Sequence, residues 1–168
     1  MQRRTLLKLG VLSGAVFTLA GGAAAFLQQG LSQGKLSSTG REVFRAVGRA
    51  VLDGSLPADN PARQVALEAL LGRIDELTLA LPPHAQGELS QLLALLASPP
   101  GRRALAGLSD AWPFATETHI QQALQGMRVS SIALRQQAYA AMHDITAAAY
   151  FSDPSTWPQL GYPGPPPI

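Results

Sequence analysis

Prolines divide this chain into helix-length pieces and leave little room for any other architecture. Asn60-Pro61, Pro82-Pro83 and Pro99-Pro100 fall between runs rich in leucine and alanine. Proline is tolerated at the first position of a helix, where its missing N–H costs nothing, and is destructive further in. Each of these sites therefore reads as a helix start. The first helix is expected to open at Ser38-Thr39, with Glu42 three residues on in a capping-box arrangement, and to close at Gly54. Within it Val43, Phe44, Val47, Val51 and Leu52 recur at helical spacing.

The second helix opens at Asn60 with Val65, Leu67, Leu70, Leu71, Ile74, Leu77 and Leu81 as its apolar face. A third carries Leu89, Leu92, Leu93, Leu95 and Leu96 inward, and a short fourth runs through Leu105 to Leu108. A fifth covers Thr116 to Met127. The last spans about Val129 to Tyr150, through Ile132, Leu134, Ala138, Tyr139, Met142, Ile145 and Ala149. β-Branched residues are scattered and no alternating run is long enough to read as a strand. The expected fold is all-α: an irregular bundle of about five to six helices with short connections. Glycines within the helices (Gly48, Gly72, Gly87, Gly126) are expected at helix ends or tight crossings.

The ends of the chain differ from its middle. Met1-Gln2-Arg3-Arg4-Thr5-Leu6-Leu7-Lys8 precedes a stretch without a charged residue, Leu9 to Gly34. Arg3, Arg4, Leu6, Leu7 and Lys8 before a mildly apolar segment resemble a twin-arginine export signal, whose route carries proteins already folded. Ala23 and Ala25 supply small residues at both positions a signal peptidase reads, so cleavage is expected after Ala25. The competing reading is a retained anchor, because Leu9 to Leu27 approaches the roughly 20 residues needed to span a bilayer and the basic residues would hold its start in the cytoplasm. Either way the domain is expected in the periplasm. The expected organisation is residues 1–25 leader, 26–38 linker, 39–150 helical domain and 151–168 extended tail.

Charge and cysteine usage remove several function classes. The chain has 13 Lys and Arg against 11 Asp and Glu. Arg3, Arg4 and Lys8 leave with the leader, so the remainder has ten against eleven. That balance gives no support to a nucleic-acid partner. There is no cysteine, which excludes disulfides, thiolate metal sites, cysteine-ligated iron–sulfur clusters and covalent c-type haem.

Chemistry-bearing motifs are sparse. His84, His119 and His143 lack metal-ligand spacing: Glu117-Thr118-His119 and His143-Asp144 place their side chains on diverging directions of a helix. Ser109-Asp110 and Ser130-Ser131 have no nucleophile elbow around them and read as caps. No Gly-x-Gly-x-x-Gly follows a strand. Two aromatic features stand out. Trp112-Pro113-Phe114 sits before the fifth helix, where it reads as a hydrophobic staple or as surface for an interface. The tail, from Tyr150-Phe151 through Trp157, Leu160 and Tyr162, has six Pro or Gly among its last eight residues. Such a segment favours extended polyproline-like backbone, packed on its own core or in another protein's groove.

The tail sequence Tyr150-Phe151-Ser152-Asp153-Pro154-Ser155-Thr156-Trp157-Pro158-Gln159-Leu160-Gly161-Tyr162-Pro163-Gly164-Pro165 resembles the closing motif of the gluconate 2-dehydrogenase subunit 3 family. That motif is two aromatics, a short polar turn with proline, a tryptophan, then Leu/Ile-Gly-Tyr-x-Gly-Pro. Arg135-Gln136-Gln137-Ala138-Tyr139 and the leader are also similar to that family. The likeness runs from about Thr39 to Pro165, and its specific part is the tail.

The resemblance implies a non-catalytic small subunit. It would partner a large flavoprotein of the glucose-methanol-choline type, at times with a cytochrome subunit, and bring the signal read by the twin-arginine translocase. FAD would belong to the partner, which would oxidise a sugar, sugar acid or alcohol. Some members carry cysteines and this chain has none, so no redox role follows. The partner-binding candidates are Trp112, Phe114, Tyr150, Phe151, Trp157, Leu160 and Tyr162. Two other readings stay open: an independent periplasmic enzyme or ligand-binding protein with a pocket lined by Trp112, Phe114, Tyr139 and His143, and a membrane-anchored structural protein.

Overall fold

In a computed structural model of the protein, which describes residues 29–164, six α-helices enclose one core. They are α1 (Ser38–Val51), α2 (Asn60–Leu79), α3 (Pro83–Ala97), α4 (Pro99–Ala106), α5 (Glu117–Arg128) and α6 (Ala133–Phe151), followed by a 3-10 helix, Pro154–Leu160. The all-α fold and all six expected helices are present. The export-signal residues Arg3, Arg4, Leu6, Leu7 and Lys8, and the cleavage residues Ala23 and Ala25, lie outside the described residues. Among those described, no helix is long and apolar enough to cross a membrane.

The helix α1 is the axis. It packs against α2, α3, α5 and α6, and Val43, Phe44, Ala46, Val47, Gly48 and Ala50 are all buried. So complete an enclosure requires small residues where neighbours cross. At Gly48 a methyl group would come within 2.8 Å of Leu70 Cδ2 on α2, so this glycine does mark a close crossing. Gly72 and Gly87 are different: a Cβ there would meet nothing within 4 Å, and neither marks a helix end or a crossing.

Several local expectations shift by a residue or more. The N-cap of α1 is Ser37, whose hydroxyl accepts from the Gly40 amide. Neither Ser38 nor Thr39 caps it, and Glu42 is exposed. The N-cap of α2 is Asp59, accepting from the Ala62 amide, with Asn60 already inside the helix. Val65, placed on the inner face from its spacing, is 70% exposed. The inner face of α2 instead includes the polar residues Asp75 and Thr78. The last helix starts at Ala133, so Val129 and Ile132 lie in an exposed connection.

The largest departure is in the expected linker. Residues 30–37 form a β-hairpin, with β1 (Leu31–Ser32) antiparallel to β2 (Lys35–Leu36) and Leu31 opposite Leu36. Gln33 and Gly34 both take positive φ, 52° and 77°, as a two-residue hairpin turn of the mirror-image type demands. Leu31 and Leu36 are buried. The hairpin bridges two helices: the Leu36 amide donates to Asp75 Oδ1 at 2.8 Å and Thr78 Oγ1 to the Gly34 carbonyl at 2.7 Å, both on α2. On α3, the Leu31 amide donates to Ser90 Oγ at 3.1 Å. Gly30 is pressed so closely to α3 that a Cβ would stand 2.3 Å from Leu93 Cβ.

Asp75 fixes three elements at once. It accepts from the hairpin, is ion-paired to Arg41 on α1, and is itself part of α2 with 8% of its surface exposed. Replacing it with alanine strands a buried amide and a half-buried guanidinium together. We expect Asp75→Ala to cost about 2–4 kcal/mol in denaturant unfolding. Asp75→Asn, which keeps an acceptor for Leu36, should cost less.

Candidate partner-binding site

The tail is a folded strap rather than an extended one. Asp153 caps the 3-10 helix by accepting from the Ser155 amide at 2.9 Å, and Gly161 ends it with φ 68°. Thr156 is buried, its hydroxyl donating to the Asp153 carbonyl at 2.7 Å. Trp157 Nε1 donates to the Phe151 carbonyl at 2.9 Å, and its ring lies 5.3 Å from that of Tyr162. Arg73 of α2 holds the junction, Nε donating to the Ala149 carbonyl at 2.7 Å and Nη1 to Asp153 Oδ2 at 3.1 Å. The strap from Asp153 through Gly161 thus lies on the domain, and Pro165, Pro166, Pro167 and Ile168 fall outside the described residues.

The seven partner-binding candidates separate by burial. Trp112 is 2% exposed, with its indole N–H donating to the Leu96 carbonyl at 2.7 Å. It closes the C-terminus of α3 and shares the core with Ile120 of α5. Tyr150 is also buried, its hydroxyl donating to the Ser55 carbonyl at 2.7 Å. Both side chains are largely internal, and Tyr150, although buried, lines a cleft beside the strap. Phe151 and Trp157 are half-buried. Phe114 is 84% exposed, Leu160 58% and Tyr162 47%.

Two clefts border the strap. The larger, about 490 Å³, runs along Ala66, Ala69 and Arg73 of α2, between the Ser55–Pro57 turn and Asp153, Ser155 and Gln159. The smaller, about 260 Å³, is lined by Pro154, Trp157, Pro158, Gly161, Tyr162 and Pro163. Neither contains Trp112, Phe114, Tyr139 or His143. Those four do not meet as a pocket wall: Trp112 is in the core, Phe114 points outward, and Tyr139 stacks on His143 at 5.4 Å.

The histidines stay apart. His84 and His119 are exposed, and His143 contacts the neighbouring Asp144 at 3.0 Å. Among the described residues no group of three or more His, Cys, Asp or Glu is placed to hold a metal ion. Nothing in the sequence singles out Arg73, which α2 aims at the last carbonyls of α6. A single arginine within an amphipathic helix carries no spacing signal for such a role. No family model, no curated protein and no solved structure matches this chain.

The Asp153 carboxyl is held below the ordinary carboxylate value of 3.8, chiefly by the Ser155 amide and then by the Ser155 hydroxyl; desolvation opposes them, and the Arg73 charge adds the least. A lowered folded-state pKa contributes stability that is present above 3.8 and lost as pH falls through the folded value. Tryptophan emission of the wild-type protein should therefore hold steady from neutral pH down to the ordinary Asp range and change only below it. Asp153→Asn should loosen the strap at neutral pH and make little difference once the wild-type carboxyl is protonated.

Proposed function

We propose that this chain is the non-catalytic small subunit of a periplasmic FAD-dependent dehydrogenase that acts on a sugar, sugar acid or alcohol. It binds the folded flavoprotein, of the glucose-methanol-choline type, and brings the twin-arginine signal that exports the pair. The observation that carries this reading is the tail. Its sequence resembles the closing motif of the gluconate 2-dehydrogenase subunit 3 family, and Leu160 and Tyr162 of that motif stand exposed beside half-buried Trp157.

Exposed apolar and aromatic side chains on a fixed frame suit protein recognition. The leader adds the second support. A twin-arginine signal serves cargo that crosses folded, and a helper that carries it can take a partner lacking one. FAD and the chemistry belong to the large subunit.

Co-expression with the flavoprotein encoded nearest to this chain tests the reading. The two should co-purify from the periplasm, and Arg3→Lys with Arg4→Lys should leave both in the cytoplasm. A flavoprotein that never co-purifies, and is exported normally without this chain, would sink the proposal.

A further inference from the structure

Three arginines lie four residues apart along α1: Arg41, Arg45 and Arg49. Residues at this spacing share one edge of a helix. The helix α2 runs antiparallel beside them and supplies a carboxylate to two of the three. Arg41 pairs with Asp75 and Arg45 with Glu68. At the third rung the first turn of α2 offers Pro61, Ala62 and Gln64, and its Arg63 is turned to Glu117 at 3.6 Å. Arg49 has no carboxylate partner among the described residues. Its Nε is buried without an acceptor, and Nη2 reaches only the Ala115 carbonyl at a long 3.5 Å. Glu117 pairs with Arg63, Asp110 faces His119 at 3.8 Å, and Asp53, four residues after Arg49, accepts from Gln121 Nε2 at 3.1 Å.

That carbonyl belongs to the residue after Phe114, the most exposed large apolar side chain among the described residues at 84%. Its segment is not a floppy loop. Trp112, two residues before it, is bolted to the Leu96 carbonyl, and the Phe114 and Ala115 amides both donate to the Ala111 carbonyl at 2.9 and 3.0 Å. Ala115 is buried. The turn therefore presents an aromatic ring outward from a rigid base, next to a guanidinium with no carboxylate partner among the described residues.

Resting on the functional reading above, we propose that Phe114 and Arg49 form the anchor for the flavoprotein partner, received by an apolar pocket whose rim carries an Asp or Glu. The ring fills the pocket and the rim carboxylate completes the rung that α2 leaves open. Aromatic residues and arginine dominate binding energy at protein interfaces. Complementary charge at such a rim sets orientation and encounter rate. Charge complementarity favours this occupant: α2 carboxylates match the first two rungs, and the third is open to one.

The test measures binding of the full chain to the co-expressed flavoprotein. Phe114→Ala and Arg49→Gln should each weaken binding about tenfold or more. Arg49→Glu should weaken it further, and Arg49→Lys, which keeps the charge, should restore most of the loss. Added salt should weaken the wild-type pair more steeply than the Arg49→Gln pair. Melting of Phe114→Ala like wild type shows that the loss is one of contact and not of folding. If wild type binds while Phe114→Ala and Arg49→Gln bind as well as it does, the placement is overturned and the functional reading stands. Loss of binding in Leu160→Ser and Tyr162→Ser alone would likewise overturn it, by moving the anchor to the strap. If wild type itself does not bind the flavoprotein, both fall.

Discussion

Everything in this domain follows from the enclosure of α1. A helix surrounded by four others must be apolar or small over most of its circumference, and α1 meets that with Val43, Phe44, Ala46, Val47, Gly48 and Ala50. Only one edge can carry long polar side chains, and Arg41, Arg45 and Arg49 take it. Arginine suits this position because its aliphatic stem packs while its planar head reaches outward. The antiparallel α2 then has to present carboxylates at matching heights, which explains why Asp75 lies on its largely apolar inner face. A charge is tolerated there only because the Leu36 amide and Arg41 both satisfy it.

A second constraint acts at the helix ends. Every helix leaves its last carbonyls without intrahelical donors, and with so many short helices those ends are numerous. Here the donors come from elsewhere in the chain. Trp112 reaches Leu96 at the end of α3, Arg135 reaches Leu105 at the end of α4, and Gln121 reaches Ala50 at the end of α1. Arg73 serves Ala149 near the end of α6, and the buried Arg102 gathers the Leu108 and Ser109 carbonyls of the turn beyond α4. Each such bond ties two elements together as well as filling a vacancy. In a chain without cysteine these cross-links take over part of what disulfides do, at about 1–3 kcal/mol for bonds from charged donors.

The helices were legible because their signals are local. Proline at Pro61, Pro83 and Pro99 marks a start irrespective of what packs around it. The hairpin was not, because two-residue strands cannot display a period of two. Leu31 and Leu36 fall within the expected linker, residues 26–38. Only the α2–α3 junction that receives them reveals their purpose. Val65 shows the opposite failure: helical spacing places it near the inner stripe, but α2 is covered unevenly and that position faces solvent. For the aromatic candidates, residue type alone was uninformative. Trp112 and Phe114 are two apart in a turn, and one is bolted into the core while the other projects from it.

That division within a single turn bears on how the domain can recognise anything. A side chain that must be ordered on binding subtracts its lost entropy from the affinity. Phe114 sits on a base fixed by Trp112 and Ala115, and Leu160 and Tyr162 on a strap fixed by Arg73, Thr156 and Trp157. In both places the buried neighbours fix the backbone during folding, which leaves only side-chain rotamers to be ordered on binding. Under the proposed function the internal aromatics contribute to recognition indirectly. Removing Trp112 or Tyr150 would release the frame that holds Phe114, Leu160 and Tyr162 in position. Binding loss without surface change, accompanied by loss of stability, distinguishes such frame residues from Phe114, where binding should fall and stability should not.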